Sequence, residues 1–161
     1  MLILMTASAV SAALKTDDVA PAFSLPDSAG KDISLSNILG ATEKGKTGGA
    51  VVSFFASWCV ACRQELPLIN SLVDELQGKG IKVVLVNVKE TPEAIKALLS
   101  ELKVDKPLVL SDRNGSASEK YQVRFLPTTF FIGSDGRIKD IIFGEIESGK
   151  ELRKSAGRLV N

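Results

Sequence analysis

Residues Ala50 to Phe55 (AVVSFF) and Ile81 to Val88 (IKVVLVNV) form two nearly unbroken apolar runs. That is the pattern of strands covered on both faces. Between them, Ile69, Leu72, Val73 and Leu76 fall at i, i+3, i+4 and i+7, which gives a helix a core-facing stripe. The helix should start near Cys59, kink at Pro67 and end at Gly78. Two strands joined by a helix make a βαβ unit, which is parallel and right-handed almost without exception.

The remaining segments extend that unit. Ala22 to Leu25 and Asp32 to Leu35, separated by Pro26, Asp27 and Gly30, read as a small hairpin. Residues 40–49 are a polar, Gly-rich loop. Thr91-Pro92 is an N-cap followed by proline at the first helical position, and Ile95, Leu98, Leu99 and Leu102 give that helix its apolar face. Pro107 to Leu110 reads as a short strand and Ser116 to Gln122 as a short helix. Thr129 to Ile132 and Ile138 to Phe143 are strands joined through Ser134-Asp135-Gly136. Ser148 and Glu151 form a capping box for a last helix with Leu152, Ala156 and Leu159 inside. The expected fold is α/β: a βαβ unit, a helical insertion, then ββα. The chain of 161 residues makes one domain, large enough to bury a core without a metal or disulfide staple.

Composition removes whole classes of chemistry. Twenty Lys and Arg against 19 Asp and Glu leave a net charge of +1, so no nucleic acid is expected as partner. There is no histidine. That excludes a Ser-His-Asp triad, a Cys-His nucleophile and a histidine metal site. The two cysteines stand together in Trp58-Cys59-Val60-Ala61-Cys62, where the first apolar strand gives way to the helix. A helix N-terminus carries partial positive charge and free N–H groups, which favour a thiolate at Cys59 and make it the nucleophile. Cys62, about one turn on, is placed to resolve a mixed disulfide. Two other readings stand beside dithiol–disulfide exchange. Half of a zinc site would need two carboxylates to complete it, an unusual structural set. An inert staple across so short a loop would remove little chain entropy. Neither a metal nor a cofactor is expected beyond a redox-active Cys59–Cys62 disulfide.

Residues 1–14 carry no charged side chain and pass from an apolar run into small residues, with Ala7-Ser8-Ala9 and Ser11-Ala12-Ala13 suiting a signal-peptidase site. No Lys or Arg precedes the run. Residues 1–19 are therefore expected to be a signal peptide or an apolar N-terminal tail that could tether the protein to a membrane, and residues 20–161 the folded domain. No stretch reaches the roughly 20 apolar residues of a membrane span.

The segment from Phe54 to Pro67 (FFASWCVACRQELP) resembles the active-site segment of thioredoxin-fold proteins. It is most similar to the exported TlpA/ResA-like thiol–disulfide oxidoreductases, with their Cys-x-x-Cys-Arg-x-Glu-x-Pro pattern. Ala20 to Asp27 resembles their N-terminal hairpin, and Leu126-Pro127-Thr128-Thr129-Phe130-Phe131-Ile132, followed by Asp135-Gly136-Arg137, their C-terminal strands. The resemblance runs from about residue 20 to the C-terminus. It implies a thioredoxin-like fold with a mixed central sheet, helices on both faces and the N-terminal hairpin. It also implies reduction of disulfides in partner proteins outside the cytoplasm, in the periplasm, by a monomer that a membrane electron donor recharges, with cytochrome c maturation as one setting. Trp58 would shape the docking surface. Leu126 and Pro127 would form the substrate groove, with a cis peptide between them packed against the cysteines, although trans is the usual state of an X–Pro bond. Ala61 stands where the family commonly has proline. Ser53 stands where thioredoxin has a buried aspartate, so the proton for Cys62 needs water or another carboxylate. Glu65 is a candidate, and a solvated helix face is the other reading of it. Two alternatives come from other classes. One is a thiol peroxidase of the same fold, which would need a Pro-x-x-x-Thr-x-x-Cys setting. The other is a non-enzymatic thioredoxin-like binding module.

Overall fold

A computed structural model describes residues 13–40 and 48–160. Most of the expected leader and most of the Gly-rich loop lie outside the described residues.

The element order is β1 (Ser24–Pro26), β2 (Asp32–Ser34), α1 (Leu35–Leu39), β3 (Gly49–Phe55), α2 (Val60–Gly78), β4 (Ile81–Val88), α3 (Pro92–Leu102), β5 (Leu108–Asp112), α4 (Ser116–Lys120), β6 (Thr128–Gly133), β7 (Ile138–Phe143) and α5 (Gly149–Gly157). β1 and β2 make the expected antiparallel hairpin. The other strands form one sheet in the order β5-β4-β3-β6-β7. β3 runs parallel to β4 and antiparallel to β6, so the sheet is mixed with β3 at its centre. That position explains the apolar run, because every residue of β3 is buried. Gly49 opens the strand with φ +125°, where a Cβ would stand 2.4 Å from the Ile132 carbonyl oxygen.

Two cores lie on the two faces of the sheet. On one, Leu66, Ile69, Val73 and Leu76 of α2 pack with Ile95 of α3 and Leu152 of α5 against Val51, Phe55 and Leu85. On the other, the hairpin, α1 and α4 cover Val52, Phe54, Val84 and Phe130. Rings fill this second layer: Phe130 meets Phe54 at 5.9 Å and Tyr121 at 4.9 Å, both edge to face. The thioredoxin-like layering expected from the resemblance is therefore present.

Two local expectations are corrected. Leu35 does not close a strand but opens α1. Ser34 caps that helix, its hydroxyl accepting from Asn37 N–H while the Asn37 side chain accepts from Ser34 N–H. At α5, the Ser148 hydroxyl accepts from Glu151 N–H as expected, but the Glu151 carboxylate accepts from Glu147 N–H rather than from Ser148. Ahead of the hairpin, Asp17 N–H donates to the Ile138 carbonyl and Ala20 N–H to that of Gly136, so the chain joins the sheet at the start of β7. Among the described residues, no helix is long and apolar enough to cross a membrane.

Candidate functional site

The site forms where β3 ends and α2 begins. β3 carries the chain through the sheet to Phe55 and releases it into the turn Ala56-Ser57-Trp58. Cys59 is the N-cap of α2, and its Sγ accepts from the Cys62 N–H at 3.1 Å. One of the otherwise unpaired N–H groups of the first turn is thus aimed at the sulfur. Cys59 and Cys62 are joined in a disulfide, with Cα atoms 5.2 Å apart. Cys59 keeps 6% of its surface exposed and Cys62 none. Trp58 and Val60, on either side of Cys59, are 72% and 70% exposed. Such exposure of large apolar side chains beside the disulfide is a feature of contact surfaces.

β6 brings the second half of the site alongside, because it is the other neighbour of β3. The Leu126–Pro127 peptide just before β6 is cis. Leu126 is partly buried and packs against the core cluster that contains both cysteines. Pro127 is buried, and its carbonyl accepts from Gly144 N–H, which closes the β6–β7 end of the site. Beyond it, Phe125 and Phe143 are exposed and face each other with ring centroids 5.9 Å apart.

Glu65 is not on a solvated helix face. It is 1% exposed, one turn beyond Cys62 on the inner side of α2. Ser53 Oγ of β3 donates to its Oε1 at 3.1 Å, Thr129 Oγ1 of β6 donates to Ser53 Oγ at 2.9 Å, and Ile146 N–H donates to its Oε2 at 2.7 Å. Burial pushes the carboxyl up to about 7, while the Ile146 and Ser53 hydrogen bonds pull against that rise. The carboxyl therefore changes charge near neutrality, one helical turn from Cys62.

The residues named from the sequence fall into one neighbourhood of the fold: Trp58, Cys59, Cys62 and Glu65 along one turn and helix, Leu126 and Pro127 on the adjoining strand entrance. Sequence reasoning missed Ser57, Asn87 and Glu90. The Glu90 carboxylate accepts from Ser57 N–H at 2.8 Å, from Ser57 Oγ, and from Asn87 Nδ2 at 2.7 Å. The available signal was position alone, since Glu90 follows the carboxyl end of a parallel strand, where sites of α/β sheets gather. Among the described residues, no group of three or more Cys, Asp or Glu side chains could hold a metal ion.

Comparison with known proteins matches residues 16–141 to the AhpC/TSA family. The thiol-disulfide oxidoreductase ResA of Bacillus subtilis is 34% identical over 125 residues, covering 78% of this chain and 65% of that protein. ResA of Geobacillus thermodenitrificans is 32% identical over 132 residues, covering 82% and 71%. The chain thus spans about two thirds of the length of these curated relatives. Among solved structures, one named as a thiol:disulfide interchange protein DsbE of Chlorobium tepidum superposes with a TM-score of 0.80 at 28% identity, over 92% of this chain and 100% of that one.

Proposed function

The chain belongs to the AhpC/TSA family of thioredoxin-fold proteins, with thiol-disulfide oxidoreductases as relatives, and on that premise we propose that it exchanges dithiol for disulfide with partner proteins. The observation that carries this reading is the Cys59–Cys62 disulfide at the start of α2, the outer sulfur receiving an N–H and the inner one buried.

In the reducing direction, the Cys59 thiolate attacks one sulfur of a partner disulfide. A Cys59–partner bond forms, the partner S–S bond breaks, and the first partner thiolate leaves and takes a proton. The Cys62 thiolate then attacks Cys59 Sγ, which releases the second partner thiol and closes the Cys59–Cys62 disulfide. Two electrons pass to the partner. Cys62 is buried and must lose its proton to react, and Glu65, one turn away and titrating near neutrality, is the carboxylate positioned to take it. An extended partner segment pairs with the backbone of Leu126 as a short added strand, with Trp58 beside it. No cofactor beyond the disulfide takes part, and the protein acts as a monomer.

The uncharged, apolar start of the chain supports work outside the cytoplasm, in the periplasm, whether the leader is removed or kept as a tether. There a membrane electron donor recharges the disulfide, and cytochrome c maturation is a fitting use. A fusion of residues 1–20 to an export-dependent reporter should be active, and a silent reporter would argue against export. Val60-Ala61 places no charge between the cysteines, which favours a reducing or intermediate potential. Equilibration with glutathione tests the direction: a potential near the strongly oxidising end, about −120 mV, would reverse it.

A further inference from the structure

We propose that Glu90 is a positioning residue that fixes the Trp58 side of the active-site turn for protein disulfides. The inference rests on the thiol–disulfide reading above and assigns one determinant of its substrate class. Glu90 lies in the loop between β4 and α3. All three donors on its carboxylate come from the site's own framework: the backbone N–H and hydroxyl of Ser57, and the amide of Asn87. Ser57 immediately precedes Trp58. Asn87 is fully buried, stands opposite Phe55 in the β3–β4 register, and its Oδ1 has no partner. The amide is therefore turned to donate to Glu90 rather than to satisfy its own oxygen.

The backbone places Glu90 at a cost. Lys89, just before it, has φ +59°, a left-handed conformation uncommon outside glycine, and its N–H donates to the Asp112 carbonyl of β5. The turn after β4 is thus tied to the next strand and returns the chain toward Ser57.

The clamp acts on docking more than on sulfur reactivity. The Cys59 sulfur takes its N–H from Cys62, within α2 and independent of Glu90. Trp58 is 72% exposed, so little packing of its own fixes its place, and the bonds to Ser57 hold the backbone beside it. A protein disulfide must dock against Trp58 to deliver its sulfur to Cys59, whereas a small aromatic disulfide needs only access to the sulfur.

The test compares rate constants for reduction of insulin and of a small aromatic disulfide. In Glu90→Ala, the insulin rate relative to the small-disulfide rate should fall about tenfold, within the range for losing hydrogen bonds to a charged group. Glu90→Gln should restore the wild-type ratio, because an amide oxygen still accepts from Ser57 N–H and Asn87. Trp58 is the only tryptophan, so its fluorescence anisotropy should drop in Glu90→Ala and recover in Glu90→Gln. Ser57→Ala, which removes one of the three bonds, should shift ratio and anisotropy the same way by less. An unchanged ratio and anisotropy, equal loss on both substrates, or no rescue by Glu90→Gln would overturn the inference while leaving the exchange reading intact. A wild-type protein that reduces neither disulfide would instead overturn that reading, and this inference with it.

Discussion

Ser53 of β3 and Glu65, one turn beyond Cys62 on α2, meet through a buried 3.1 Å hydrogen bond. The serine hydroxyl donates to the carboxylate and receives from Thr129, so three elements of the fold hold one titrating group. The strand contributes a hydroxyl at this position, and the buried carboxylate beside it comes from the helix.

That arrangement makes stability depend on pH with a definite sign. Glu65 titrates at about 7 in the fold against 4.5 ordinarily, mainly because burial penalises its charge. Below the ordinary value it is protonated in both states and costs nothing. As pH rises through the window between the two values, the unfolded chain releases a proton that the folded chain keeps, so stability falls. The shift corresponds to roughly 3 kcal/mol. Denaturant unfolding of the oxidised protein at about pH 5 and about pH 8 should show most of this loss, and Glu65→Gln should flatten it. An equal loss in Glu65→Gln would assign the effect to other groups.

The two cysteines should differ in the reduced protein. Cys59 keeps some exposure and caps the helix, while Cys62 has none. Iodoacetamide at neutral pH should label Cys59 much faster, as mass mapping of the labelled peptide would read. Equal labelling, or faster labelling of Cys62, would reverse the assigned roles.

How much of this could be read in advance differs by element. The βαβ unit was legible because β3 and β4 are buried on both faces and therefore spelled in apolar residues. α1 was not, because its five residues are too few to show a period, although Ser34 and Asn37 carry its cap. Glu65 was half legible. It stands four residues before Ile69 and seven before Leu72, on the apolar stripe itself, and a charge there is either solvated or specially held. Ser53, Thr129 and the Ile146 amide decide which, and only the sheet brings them together. Glu90 was legible only by its position after β4, because its partner Ser57 is 33 positions away.

The aromatic layer should carry much of the stability on the hairpin side. Phe54 is fully buried and contacts the rings of Tyr121 and Phe130. Phe54→Ala should lower unfolding free energy by about 3–5 kcal/mol. A loss under about 1 kcal/mol would mean that the layer collapses around the gap.

Peroxide should be a poor substrate. Both cysteines lie in one turn, and neither follows a Pro-x-x-x-Thr-x-x sequence. Peroxide consumption assayed beside insulin reduction should be negligible. Consumption at a comparable rate would favour the peroxidase alternative.

If Cys59 attacks and Cys62 resolves, a Cys62→Ser variant isolates the first step. Without the resolving thiol, the exchange should stop after its first step. Incubation of the reduced variant with a disulfide-containing protein such as insulin should yield a covalent adduct that mass mapping places on Cys59 and that dithiothreitol releases. Cys59→Ser should give no such adduct. Absence of the Cys59 adduct, or an equal adduct on Cys62 in the Cys59→Ser variant, would show that Cys59 is not the attacking thiol.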